Sequence, residues 1–314
     1  MQEVGLITPS ELDEYIACRD FLWNVRFALH CNCNGVHNNR LTLDIQKSVA
    51  STLGYGDEGN LPVEQMMRAL FRTLRRVREL NTIIIQQSEL LIEGHIGDNY
   101  QEPVFLDSNF VKRGSFIDII DHELFKYDPP KLLSLFLTIA KHDEINAIHV
   151  NCLRALRESR RKFKHYLIEN PECRTFFKKI ISLPKAVVHA LPIMHETRVL
   201  SAYMPQWERI EGLTQFDMFH LFSVDEHTIR VLNNFAILCE SKEPIFALFK
   251  TIYKRLENPE LLTLAALLHD IGKGCGGHHA DVGAYEAENF CQLHGYSTYE
   301  TAMVSWTIKS HLLF

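Results

Sequence analysis

Residues that break helices are scarce in this chain. Fifteen glycines and 11 prolines in 314 residues fall below the roughly 12% that the two contribute to an average protein. With 46% apolar residues, that shortage excludes a disordered or collagen-like chain and predicts a helix-rich protein of about two domains. No C-x-x-C pair exists. The eight cysteines stand at 18, 31, 33, 152, 173, 239, 275 and 291, too scattered for a disulfide framework or a thiolate zinc site, and they predict reduced thiols in a cytoplasmic protein. Basic excess is also absent. Thirty-three Lys+Arg against 39 Asp+Glu leave a net charge of −6, which excludes general nucleic-acid binding. The longest apolar stretches, Leu132–Ala140 and Leu261–Leu268, are far short of the roughly 20 residues of a membrane helix, so no membrane partner is expected. The opening MQEVGLITPSELDEYIACRD is acidic and polar, unlike a secretory leader. No strand-like alternation and no internal repeat stands out, and the expected fold class is all-α.

What is present is helical punctuation. Thr8-Pro9-Ser10-Glu11 supplies an N-cap, a proline at the first helical position and a capping-box glutamate. Leu12, Ile16, Trp23 and Phe27 then recur at helical spacing, predicting one amphipathic helix from 9 to about 30. Cys31–Asn39 and Gly54–Asn60 are loops. From Pro62 to about Leu91 the helical pattern returns, with Arg68, Arg72, Arg75 and Arg76 on one face, a stripe that could meet an acidic partner or a phosphate but is read first as a solvated face. Periodicity stops between Gly94 and Ser115, around Gly94, Gly97, Pro103 and Gly114, which marks an internal boundary. Helices follow near 130–142, 144–167 and 171–182. The second contains RESRRKFKHY (157–166), again a solvated basic face, and YMPQW (203–207) reads as a loop. Ile229, Leu232 and Phe235 mark a helix over 225–238, and Asn258-Pro259 begins the next.

That next helix carries the chemistry. Leu261 to Leu268 are apolar almost all round, which predicts burial, and the helix runs into His269-Asp270 and then Gly272-Lys273-Gly274. A carboxylate and an imidazole at the inner end of a buried helix need compensation, which a divalent cation supplies. The chain contains its own control. LLSLFLTIAKHDEIN (132–146) also ends in a His-Asp pair, His142-Asp143, but among charged neighbours and without a glycine stop, so it reads as a solvated helix end. His269-Asp270 has company: His227 in VDEHTIRV upstream, His278-His279 in GCGGHHADVGA, and His311 in KSHLL.

One upstream histidine, a His-Asp pair and further histidines on later segments resemble the HD phosphohydrolase superfamily. That resemblance implies ligands converging from separate helices on one or two metals that activate water against a phosphoester. The similarity is closer to the bacterial family of PII-protein uridylyltransferase/uridylyl-removing enzymes. It is carried by NNRLTLDIQKSVASTLGYGDEGNLPVEQMMRALFRTLRRVRELN (38–81), HETRVLSAYMPQWERIEGLTQFDMFHLFSVDEHTIRVL (195–232) and HDIGKGCGGHHADVGA (269–284). The family implies an HD domain that removes UMP from a tyrosine of the PII signal-transduction protein with Mg²⁺ or Mn²⁺. By motif, His227, His269, Asp270, His279 and His311 become the metal-ligand candidates. Asp270 and Lys273 are the catalytic candidates, the lysine placing positive charge on the phosphate.

Departures limit the transfer. The family's loop usually reads K-G-R-G-G-D-H-S, whereas here Cys275 replaces the basic residue and His278 the aspartate. His278 is therefore either an extra ligand or a substitute hydrogen-bond partner. The family's nucleotidyltransferase needs a glycine turn followed by a D-x-D pair, and the only adjacent glycines, Gly276-Gly277, lie in the HD loop. The last aspartate of the HD pattern and the glutamine-sensing ACT domains are expected beyond Phe314. The expectation is thus an internal piece of a longer enzyme, in three parts. Residues 1–108 form the helical end of the uridylyltransferase module without its active site. Residues 109–224 form a helical connector, and 225–314 an HD domain truncated at its C-terminus. Its function is expected to be hydrolysis of UMP from PII. The alternatives are a catalytically incomplete HD scaffold or PII-docking module, and an HD phosphohydrolase acting on free nucleotides.

Overall fold

The computed structural model describes residues 5–33, 39–92, 102–215 and 222–313. Among them lie fifteen α-helices and one small sheet, so the fold is mainly helical. No helix among the described residues is long and apolar enough to cross a membrane. The chain divides into two compact units, one made of Met1–Gly94 with Glu211–Asp225, the other of His95–Ile210 with Glu226–Phe314.

The first unit holds α1 (Pro9–Asn32), α2 (Leu43–Thr52) and α3 (Leu61–Ile92). The capping box expected at Thr8 forms: its hydroxyl accepts from the Glu11 amide at 3.2 Å, and the Glu11 carboxylate accepts from the Thr8 amide at 2.8 Å. The face that α1 buries is not the one its large side chains suggest. Cys18, Val25, Ala28 and Leu29 turn inward, and Ala28 and Leu29 pack with Val49, Ala50, Val63 and Met66. Trp23 and Phe27 stay 59% and 70% exposed. Of the arginine stripe of α3, Arg76 is exposed as a solvated face requires, but Arg68, Arg72 and Arg75 turn to protein partners. Arg75 is nearly buried and pairs with Asp225 at 2.7 Å and Glu211 at 3.5 Å, both buried carboxylates. Arg68 and Arg72 donate to the Glu211 carbonyl.

The second unit opens with strands that the sequence did not reveal: β1 (Val104–Phe105), β2 (Phe110–Arg113), β3 (Phe116–Ile119) and β4 (Ala147–Ile148). They form one sheet in the order β1-β2-β3-β4. A two-residue turn at Gly114–Ser115, with Gly114 at φ +57, joins the antiparallel pair β2–β3, whose register pairs Arg113 with Phe116. β4 adds in parallel to β3, pairing Ile117 with Ile148, across a connection holding α4 (Leu124–Tyr127) and α5 (Pro130–Lys141). A parallel neighbour requires such a crossover. β4 also interrupts the helix expected over 144–167, which begins only with α6 (Val150–Lys162). Gly94 and Gly97 of the expected boundary lie outside the described residues, as do residues 34–38 of the first loop.

After α6 come α7 (Pro171–Ile181), α8 (Ala190–Glu196), α9 (Val199–Tyr203) and α10 (Pro205–Ile210). YMPQW is therefore helical on both sides of Met204, not a loop, and Tyr203 and Trp207 are among the largest fully buried side chains. The remaining helices are α11 (Val224–Glu240), α12 (Ala247–Tyr253), α13 (Glu260–Leu268), α14 (His279–Leu293) and α15 (Thr298–Ser310). α14 and α15 form an antiparallel hairpin closed by Gly295 at φ +68. The Ser297 hydroxyl caps α15 by accepting from the Glu300 amide at 3.2 Å.

Candidate metal centre

α13 is buried on nearly every side, through Leu261, Thr263, Leu264, Ala265, Leu267 and Leu268, and it delivers His269 and Asp270 into the interior. Asp270 is only 3% exposed. Burial alone would raise its pKa, but hydrogen bonding and charge from His269 and Lys273 hold the carboxyl well below the usual range. Lys273, one turn on, places its ammonium 2.9 Å from Asp270 Oδ2. The loop then passes Gly274, Gly276 and Gly277, all at positive φ. Gly272 has a tighter role. A Cβ there would sit 2.3 Å from the His279 carbonyl and 2.6 Å from the Gly283 amide, so only glycine lets the start of α14 close onto the His-Asp turn.

Four histidine Nε2 atoms surround that one carboxylate. His227 from α11 and His269 approach Oδ2 at 3.9 and 3.3 Å. His279 from the first residue of α14 and His311 from the end of α15 approach Oδ1 at 3.8 and 3.9 Å. Two triads share Asp270: His227, His269 and Asp270, and Asp270, His279 and His311, each with ligating atoms within 4.8 Å of one another. The imidazoles are oriented for this. Nδ1 of His269 donates to the Ala266 carbonyl at 2.8 Å, and Nδ1 of His311 to the Ile308 carbonyl at 2.6 Å. A carbonyl only accepts, so both Nδ1 atoms carry a proton and Nε2 is the nitrogen that each ring turns toward Asp270. Burial lowers the pKa of His279, which favours the neutral, ligating form.

The structure brings His227, His269, Asp270, Lys273, His279 and His311 together. His278 stacks its ring on that of His279 but is not one of the groups gathered at Asp270. That side chain is 64% exposed and faces Asp281 at 3.3 Å, on the solvent side of α14. The control pair separates as well: His142 caps α5 half-exposed, with Nδ1 3.3 Å from Glu144.

Two supports went unseen in the sequence. Buried His195 of α8 stands 3.7 Å from Glu226, the residue before His227. Its imidazole, joined by Arg230, depresses the Glu226 carboxyl to about 2 despite partial burial. From α10, Gln206 and Arg209 donate to Glu286 of α14 at 2.9 and 3.2 Å, and Arg209 reaches the Ile271 carbonyl at 3.5 Å. These partners lie tens of residues from the ligands they brace, so no local spacing announces them.

A helical domain that gathers histidines from separate helices around one His-Asp carboxylate is an HD domain, the class of metal-dependent phosphohydrolase domains, and residues 224–314 match that family. Residues 1–85 match the family described as GlnD PII-uridylyltransferase, and residues 110–203 the uridylyltransferase GlnD third domain. The chain thus carries stretches similar to two GlnD uridylyltransferase domains, followed by an HD domain. It is 43% identical over 317 residues to the bifunctional uridylyltransferase/uridylyl-removing enzyme of Vibrio atlanticus (strain LGP32). Identity is 41% to the enzyme of the same name from Vibrio vulnificus (strain YJ016) and 40% to that of Aliivibrio fischeri (strain MJ11). Each alignment covers 100% of this chain and 36% of the relative, so the chain spans just over a third of the relatives' length.

Proposed function

We propose that this HD domain hydrolyses UMP from a tyrosine of the PII signal-transduction protein, as a divalent-metal-dependent phosphodiesterase of the cytoplasm. The observation that carries this reading is the convergence of four Nε2 atoms within 3.3–3.9 Å of the Asp270 carboxylate. The donor set fits a divalent ion: neutral imidazoles and one ionised carboxylate, with a different histidine pair facing each carboxylate oxygen. His227, His269, Asp270, His279 and His311 would hold Mg²⁺ or Mn²⁺. Bound there, the ion would neutralise charge on the phosphoryl oxygens and lower the pKa of water. Lys273 balances Asp270 and adds a fixed positive charge beside the phosphoryl group. His227, 43% exposed, stands on the open side, where a protein-borne phosphotyrosyl ester would enter. The eight free thiols support a reducing compartment.

Metal content by elemental analysis after Mn²⁺ loading, paired with UMP release from uridylylated PII, tests the reading on wild type and Asp270→Ala. Expected is loss of bound manganese and a fall in UMP release of roughly 100-fold or more, the scale on which metal-site support is lost. Lost metal with unchanged release would overturn it. An inert wild type that still binds PII would favour a docking module, and cleavage of free nucleotides alone would favour a nucleotide phosphohydrolase.

A further inference from the structure

The expected solvated face at RESRRKFKHY fails at Arg157, which is only 3% exposed. A second basic cluster, on α7, lines a groove. Arg174, Lys178 and Lys179 of α7, with Leu293, His294 and Gly295 at the end of α14, line a cavity of about 540 Å³. Among the described residues no carboxylate lines it, in a chain that carries 39 acidic residues and a net charge of −6.

Among the described residues each of the three cations has partners, and none of these is an anion. Arg174 donates to the carbonyls of Ile168 and Glu169 at 2.8 and 3.1 Å. Lys178 donates to the carbonyl of Gly295 at 3.1 Å and stands 4.0 Å from the centre of the Tyr296 ring. Exposed Lys179 lies 5.9 Å from the centre of the Phe176 ring. Helix-end carbonyls supply only about half a negative charge, and ring faces no net charge. The positive charge of the groove is therefore offset only in part. Like charges one turn apart cost a helix about 0.2–0.5 kcal/mol, and Arg174 and Lys178 are such a pair.

The floor of the groove supplies an independent observation. Buried His294 donates Nδ1–H to the Phe290 carbonyl and accepts from the Tyr203 hydroxyl at Nε2, so its ring is neutral with both nitrogens committed. Burial lowers its pKa to about 4, and the charges of Arg174 and Lys178 lower it further. The field of both cations thus reaches the floor. A concavity of one sign gathers counter-ions, and guanidinium and ammonium groups both bind phosphoryl oxygens strongly. Arg174 and Lys178 stand about 6 Å apart along the axis of α7, so an anion that meets both must carry charge at two points. The volume falls within the roughly 300–1,000 Å³ of small-molecule sites.

We propose that this groove binds a small anion with more than one phosphoryl group, at a site that shares no residue with the metal centre. Titration calorimetry of the whole chain with pyrophosphate and with inorganic phosphate, in EDTA, tests it. EDTA keeps metal from the Asp270 centre, so the result does not depend on the hydrolytic reading. The key variant is Lys179→Glu, whose side chain is exposed, with Lys179→Gln in its place should the reversal fail to fold. Lys254→Glu, at an exposed lysine outside the lining, makes the same change in net charge, and circular dichroism verifies each fold. Expected is saturable pyrophosphate binding, tighter than that of phosphate, which Lys179→Glu weakens at least about tenfold, the scale of one charge-assisted contact. Lys254→Glu should leave it unchanged. An equal fall in both variants, affinity unchanged in a folded Lys179 variant, or phosphate held as tightly as pyrophosphate overturns the proposal. So does pyrophosphate without saturable heat, whether or not an acidic polypeptide binds.

Discussion

Arg198 is the residue where the chain departs from its easiest backbone. An L-residue in the left-handed region costs about 1–2 kcal/mol, and nothing in the spelling HETRVL announces it. Arg198→Gly relieves that strain but adds about 0.4–1 kcal/mol of unfolded-state entropy, so stability should rise by under about 1 kcal/mol, seen as a slightly higher urea midpoint, and Arg198→Ala should show no such rise. Other residues divide by how local their partners are. His269-Asp270 was legible because an apolar helix, a glycine stop and flanking histidines all stand in the sequence. His278 and His279 are adjacent and alike, and only the helical direction of α14 separates the one facing Asp270 from the one facing Asp281. Arg75 is the opposite case: its carboxylates, Glu211 and Asp225, lie so far along the chain that helical spacing alone made it look solvated.

At the scale of elements, the turn from α13 to α14 decides whether the donors meet. A Gly272→Ala change would put a methyl 2.3 Å from the carbonyl of His279, and backbone cannot move aside cheaply. We expect a loss of about 1–3 kcal/mol, the usual range for overpacking, together with weaker Mn²⁺ binding, because the helix that must shift carries His279. Thermal melts and metal titration of the variant check both. An unchanged metal affinity in a folded variant would remove the turn from the account of the site. Long helices with caps, such as α1 and α13, were legible, since apolar spacing and capping residues are local. The strands were not, because segments of two and four residues are too short to display alternation. YMPQW misled for a related reason: Pro205 is the first residue of a helix, not a loop marker.

Across the whole molecule, stability should depend on pH through a histidine remote from the metal centre. His294, at the end of α14, accepts from the Tyr203 hydroxyl at 2.5 Å and donates Nδ1–H to the Phe290 carbonyl at 2.7 Å. Burial, assisted by the charges of Arg174 and Lys178, lowers its pKa from 6.5 to about 4. The unfolded chain takes up this proton near 6.5, the folded chain only near 4. Its contribution is thus complete above pH ~6.5 and is lost on acidification through that window, by up to about 3 kcal/mol. The lowered carboxyls of Asp270 and Glu226 act only at lower pH. Urea unfolding at pH 7.5 and pH 5 should show the fall in wild type and a clearly smaller one in His294→Gln.

The pairing of Lys273 with Asp270 has a consequence for independence. His227, His279 and His311 reach the carboxylate from three other helices or their ends, whereas Lys273 follows Asp270 by three residues in the same turn. A buried carboxylate without compensation is costly. The charge that offsets Asp270 is therefore built into the turn that carries it and does not wait on how those helices pack.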